Sequence, residues 1–303
     1  MSFDRKMYTD ALSNSVEKLD PEMVNRMFDD IIAGPPCFGQ LDEWQNWYHY
    51  FLPRLIPMSF KQPGISYVAE WLASATFSQH PAGLQSELLR GFRADVLATL
   101  GNVLMAPVIW EDGKLKWEGG LFNESGRHGE SWWYLDTTSR PIAAMLFFCV
   151  KYLRPDQIGP WFRSAINIDC PLWRSQLIVW LTGAKHLLSG AVTQPSQLCD
   201  AETRVEWMWS HVFSGNYTGD FSNESTLVDK GSKSHASGPK AGVTSRCDIP
   251  FIPPVNITEF GACYEEFLPK KVREEFAEQV MEVPLLQKEM GAIAAEFIEL
   301  KLS

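Results

Sequence analysis

At 303 residues, 45% hydrophobic and 21% charged, the chain has the composition of a folded globular protein and not of a disordered one. Its net charge of −10 argues against non-specific attachment to nucleic acid or an anionic membrane, since both need Lys and Arg to meet phosphate. The longest apolar run, Ile142 to Val150, has nine residues and is too short to span a bilayer, and the polar Met1 to Asp10 stretch has no leader pattern, so a cytoplasmic protein is expected.

Helical spacing begins at once. Phe3, Met7, Leu12, Val16 and Leu19 step at helix intervals. A helix from Pro21 follows, with Val24, Phe28 and Ile32 on one face, and is expected to stop at Gly34-Pro35-Pro36. Residues 41–56 predict a Trp- and Tyr-rich helix with Leu41, Trp44, Tyr48, Phe51 and Leu55 on its apolar face. Two more helices are expected over 65–79 and 83–105.

The first break in the pattern is Val108 to Trp117. Asp112-Gly113 predicts a two-residue β-turn that sets Glu111 opposite Lys114 and Trp110 opposite Leu115. Residues 119–131 then read as a Gly-rich loop. Helices resume over 138–153, 155–168, 171–189 and 195–213, the first two meeting at a tight Arg154-Pro155 corner that favours antiparallel neighbours. On the last of these, Trp207 and Trp209 would point about 200° apart. Residues 214–259 are rich in Gly, Ser, Lys, Asn and Pro and predict a long mobile loop, with Ile249 to Pro254 docked in extended form. Helices over 263–281 and 284–302 complete the chain.

The Pro21 stripe has two counterparts: Pro155, Ile158, Phe162, Ile166 and Pro269, Val272, Phe276, Val280. Steps of three, four and four residues trace one side of a helix, and Pro suits a first turn because its missing N–H is not needed there. The pattern resembles that of helical repeats over about 40 residues. Amphipathic helices that each start at Pro and bury a Phe explain it equally well. The expected fold is all-α, with about eleven helices in antiparallel pairs, an irregular HEAT-like stack being one form of it. The expected organisation is a single domain over 1–303, a β-hairpin inserted at 107–118 and the 214–259 loop.

Local motifs for chemistry are scarce. No G-x-S-x-G, H-E-x-x-H or phosphate-loop spacing occurs. The six Cys form no C-x-x-C pair and the six His show no ligand spacing, so neither metal nor cofactor is expected. Four Asn-x-Ser/Thr sequons, at Asn123, Asn216, Asn223 and Asn256, matter only in a secreted chain.

The strongest candidate site is Arg127 to Asp136. His128 and Glu130 supply a base and its orienting carboxylate, while Arg127, Trp132, Trp133 and Asp136 supply ligand contacts. Against it stands a structural reading, in which the Trp pair anchors a loop and Asp136, Thr137 or Thr138 caps the next helix. The leading functional expectation is a cytosolic interaction module of adaptor, inhibitor or toxin-neutralising type. It would present an acidic, Trp-rich surface to a protein partner, a basic one by charge. The alternative is a small-molecule enzyme or ligand-binding protein built on the 127–136 segment.

Overall fold

The computed structural model describes Tyr8, Leu12, residues 18–19, 21–38, 42–59, 66–84, 90–105, 109–116, 122–127, 130–135, 140–199, 204–207 and 249–302. The helical stripe expected over residues 3–19 lies largely outside these, and so do residues 208–213 of the helix expected over 195–213 and residues 214–248 of the 214–259 loop.

Four helices come first: α1 (Pro21–Phe38), α2 (Asp42–Ser59), α3 (Ser66–Gln79) and α4 (Phe92–Leu100). A hairpin follows, β1 (Trp110–Glu111) with β2 (Lys114–Leu115), and then β3 (Phe122–Arg127) and β4 (Glu130–Leu135). Helices α5 (Arg140–Tyr152), α6 (Pro155–Ile166), α7 (Pro171–Gly183) and the one-turn α8 (Lys185–Leu188) lead to β5 (Val205–Glu206). The chain ends in α9 (Pro254–Phe267), α10 (Lys270–Met281) and α11 (Pro284–Ile298). The protein is predominantly helical with a small inserted hairpin, as its periodicity predicts. Among the described residues, no helix is long and apolar enough to cross a membrane.

The Pro-led stripes face inward. Val24, Phe28 and Ile32 of α1, Ile158, Phe162 and Ile166 of α6, and Phe276 and Val280 of α10 are buried in the core, while Val272 is partly buried against it. α3 is the hub, packed by α1, α2 and α5. It is buried on nearly every side, from Leu72 to Gln79, and therefore carries no amphipathic stripe. At the other end α7 lies against α10 and α11, and α6 packs on α9 rather than back along α5. The Arg154-Pro155 corner thus turns the chain away instead of folding it into an antiparallel neighbour.

Gly34-Pro35-Pro36 does not end α1, which runs on to Phe38. Pro35 and Pro36 have no N–H to give the carbonyls four residues earlier, those of Ile31 and Ile32. The polar end of α3 supplies the missing donors. Gln79 Nε2 donates to Ile31 O at 2.8 Å and Ser78 Oγ to Ile32 O at 2.7 Å. Gly34 serves a second purpose, since a Cβ there would lie 2.6 Å from Cδ2 of Trp44 on α2.

The first hairpin has the predicted register, Trp110 with Leu115 and Glu111 with Lys114, about Asp112 (φ 48°) and Gly113 (φ 74°). Both residues take the left-handed conformation that a two-residue hairpin of this kind requires. Leu115 is buried, its N–H reaches Cys170 Sγ at 3.3 Å, and Trp110 packs on Trp173 at 6.0 Å between ring centres.

Three further expectations are corrected. Within the loop expected over 119–131, residues 122–127 and 130–131 are strand: β3 and β4 pair antiparallel, and β4 pairs parallel with β5, giving a second sheet in the order β3-β4-β5. The aromatic run Trp132-Trp133-Tyr134 suits a strand and draws polar partners into register with it. The helix expected over 195–213 is a short 3₁₀ turn at Pro195–Cys199, followed by β5, and Trp207 lies just past that strand, buried. Gly183 makes this docking possible, because a Cβ there would meet Val205 Cβ at 2.8 Å and Trp207 Cζ2 at 2.9 Å. Finally, residues 254–259 are not loop but the start of α9, with Pro254 in its first turn. The preceding Ile249–Pro253 stretch docks without joining a sheet: Phe251 and Ile252 are buried and Phe251 N–H donates to Thr193 O at 2.9 Å.

Candidate functional site

The C-terminal end of α3 gathers the least usual chemistry among the described residues. His80, directly after α3, is 6% exposed. Its ring lies 5.6 Å from that of His49 on α2, 5.5 Å from Tyr48 and 5.2 Å from Phe92, the first residue of α4. His49 closes the cluster on Phe92 at 4.9 Å and on Tyr48 at 5.2 Å. His80 Nε2 and His49 Nδ1 are both shielded from solvent, and neither has a hydrogen-bond partner among the described residues.

Burial decides the charge of the pair. It lowers the His49 pKa and brings that of His80 to about 4, the neighbouring His49 adding to the second shift. Both rings are neutral at pH 7, so each has one N–H and one lone pair to offer. A base this weak is poorly matched to proton abstraction at neutral pH. The pair is suited to binding.

Its surroundings are fully occupied. Thr76 Oγ1 spends its proton on Leu72 O at 2.6 Å, so the Tyr48 hydroxyl donates to Thr76 Oγ1 at 2.8 Å. Burial pushes the Tyr48 phenol well above its usual range. The Tyr152 hydroxyl donates to His80 O at 2.9 Å and Thr76 O at 3.1 Å. Neither phenol is free to serve the imidazoles.

Beside Tyr152 sits Lys151, 4% exposed at the end of the apolar run of α5. Its Nζ donates to Pro81 O at 2.8 Å and to Phe251 O at 2.5 Å. It lies 4.7 Å from the centre of the Phe251 ring and 5.3 Å from that of Tyr152. Burial alone brings its pKa down to about 7. The end of α5 is otherwise capped from outside. Asn256 Nδ2 reaches Val150 O, Lys151 O and Leu153 O at 2.8, 3.2 and 3.0 Å, and Arg93 donates to Tyr152 O at 2.5 Å. Asn256 is 2% exposed, so this sequon is closed to glycosylation once the chain has folded.

Of the residues singled out by the sequence, Arg127 ends β3 opposite Glu130, which begins β4. Trp132 is in register with Ser125, and Trp133 with Glu124 on one side and Val205 on the other. His128 and Asp136 lie outside the described residues. Among the described residues, no three His, Cys, Asp or Glu side chains form a group able to hold a metal ion. His49 and His80 carry no local ligand spacing and stand 31 positions apart, so only the packing of α2 on α3 brings them together. Lys151 did leave a signal: it is the charge that ends a nine-residue apolar run. Comparison with protein-family models, curated proteins and solved structures gave no significant match.

Proposed function

We propose that the protein binds a small, neutral molecule bearing a hydroxyl group at the half-buried His49 edge of the His49–His80 pair. One observation carries the reading: two adjacent neutral imidazoles keep buried ring nitrogens without partners among the described residues. Native proteins pair nearly all such atoms, and two of them on adjacent rings support a ligand as their partner. The aromatic rings of Tyr48 and Phe92 supply apolar walls, and His49, only half-buried, forms the accessible edge. This keeps the ligand-binding alternative of the sequence but moves it away from Arg127 to Asp136. The test is calorimetric titration with 4-methylphenol and its methyl ether, 4-methylanisole. A hydrogen bond of ordinary strength gives the phenol an advantage of about 10-fold, abolished by His80→Phe. Equal affinities, or no binding by the phenol at millimolar concentration, overturn the proposal.

A second reading, an interaction surface for a basic protein, draws on α10. Glu274, Glu278 and Glu282 recur every four residues along and just past that helix, beside Glu275. Like charges at this spacing cost a helix roughly 0.2–0.5 kcal/mol per pair. Glu275 has Lys271 at 4.0 Å, while Glu278 and Glu282 pair with no cation among the described residues. Charge complementarity selects a Lys- and Arg-rich partner. Cross-linking of a co-purified partner should map to α10 and be lost in Glu274→Gln/Glu278→Gln/Glu282→Gln. Cross-links confined to other helices count against it.

A further inference from the structure

We infer that Lys151 is a proton-operated clasp, which in its neutral form fastens the Ile249–Pro253 segment and the turn after His80 to the end of α5, and on protonation releases them. The inference goes beyond the ligand reading and does not rest on it.

Three separate stretches of chain meet at one nitrogen. Lys151 belongs to α5, Pro81 follows the end of α3, and Phe251 precedes α9. A neutral amine has two N–H groups, and there are two carbonyls to receive them. An ammonium has a third, for which the site holds no acceptor, and brings a full charge into a place with 4% exposure. The Phe251 and Tyr152 rings offset part of that cost through their π faces. Among the described residues, no carboxylate offsets the rest.

Among the described residues, no charged group on the surrounding elements acts on Lys151. His49 of α2 and His80 after α3 are held neutral by burial. Arg93 of α4 is bonded to Tyr152 O, and the Arg154–Asp156 pair at the start of α6 is exposed and self-satisfied. Ile249 to Pro253 has no ionisable side chain at all; on α9, Asn256 is bonded to the α5 carbonyls, Glu265 and Glu266 are exposed, and neither these nor Glu259 counts among the influences on Lys151, where burial acts alone. Among the described residues, none of these supplies Lys151 with an anion.

Releasing the amine to water restores an ordinary lysine. The clasped form loses its proton near pH 7 and the open form near 10.5. The sign follows from linkage: the open state binds more protons throughout that window, so raising the pH favours the clasp and lowering it favours release. Between pH 9 and pH 6 the closing equilibrium falls about 90-fold. Within the segment affected, Phe251 is held by its carbonyl to Lys151, its N–H to Thr193 O and its ring against Phe77 at 5.0 Å and Phe147 at 6.1 Å, while Gln194 Nε2 donates to Ile249 O at 2.7 Å and Ile252 is buried.

The Phe251 amide reports the clasp directly. Its hydrogen-exchange protection, corrected for the intrinsic pH dependence of exchange, is measured in the wild-type chain from pH 6 to pH 9. The expected result is a rise of about 90-fold over that range, absent in Lys151→Met, which has no proton to lose. Flat protection in the wild-type overturns the inference without recourse to any variant. So does an unchanged pH profile in Lys151→Met, since another group would then be the one titrating.

Discussion

Removing the hydroxyl of Ser78 tests how α1 survives its two prolines. In Ser78→Ala the carbonyl of Ile32 loses its donor, and it has no helical substitute because residue 36 is Pro. Ile32 is 0% and Ser78 3% exposed, so water cannot easily take the hydroxyl's place. A buried acceptor left without a partner costs about 1–3 kcal/mol. Pro36→Ala restores an N–H four residues beyond Ile32, where an α-helix needs it. Two substitutions that serve one carbonyl cannot be additive. Urea unfolding of the four proteins, wild-type, Ser78→Ala, Pro36→Ala and the double variant, should therefore give a coupling energy of at least ~1 kcal/mol, with Ser78→Ala much milder in the Pro36→Ala background. Equal losses in both backgrounds refute the reasoning, because the hydroxyl would then be stabilising something other than the orphaned carbonyl.

Asn256→Ala withdraws the amide that spans three carbonyls at the end of α5, and should cost about 2–4 kcal/mol in urea unfolding, as expected for two lost buried donors. Asn256→Asp, similar in shape but facing the same carbonyls with an anion, should be worse at pH 7; an Asp variant as stable as wild-type contradicts the cap. Gly183→Ala forces a methyl to within 3 Å of Val205 and Trp207 and should cost about 1–3 kcal/mol, with faster hydrogen exchange at β5; unchanged exchange there means that β5 does not rest on α7. The His80 ring has its folded pKa lowered from 6.5 to about 4, so stability present above pH 6.5 is lost as the pH falls toward 4. The loss is about 2–3 kcal/mol across that window, and it should vanish in His80→Phe when stability is measured against pH.

The elements that the sequence predicts well are those whose cause is local. Asp112-Gly113 sets its own register because both residues tolerate positive φ. The Phe28, Phe162 and Phe276 faces follow from a 3.6-residue period and from prolines that suit a first turn. The failures trace to distant partners. Gly-Pro-Pro reads as a stop, and it would be one without Ser78 and Gln79, which lie 46 and 48 residues away from the carbonyls they serve. The segment from Phe122 is loop-like in composition, and becomes a strand because β4 pairs with it on one side and with Val205 on the other. Pro253-Pro254 reads as rigid extended chain, yet Pro254 opens α9. The site was the least legible part. Neither His49 nor His80 has a partner at ligand spacing, and their environment is made by α2, α3 and α4 together. The expected Arg127 to Asp136 site rested on a local mixture of His, carboxylate and aromatics, which says nothing about what converges in space.

The central claim is that His49 and His80 await one small hydrogen-bonding molecule. The most direct measurement is the nitrogen-15 spectrum of the imidazole rings at pH 7, recorded with and without 4-methylphenol. The account predicts neutral rings in both samples, with His49 Nδ1 and His80 Nε2 shifting together as the phenol is added and the ring signals of His186 unmoved. A His49–His80 pair whose signals do not respond, or which shifts no more than His186, contradicts it.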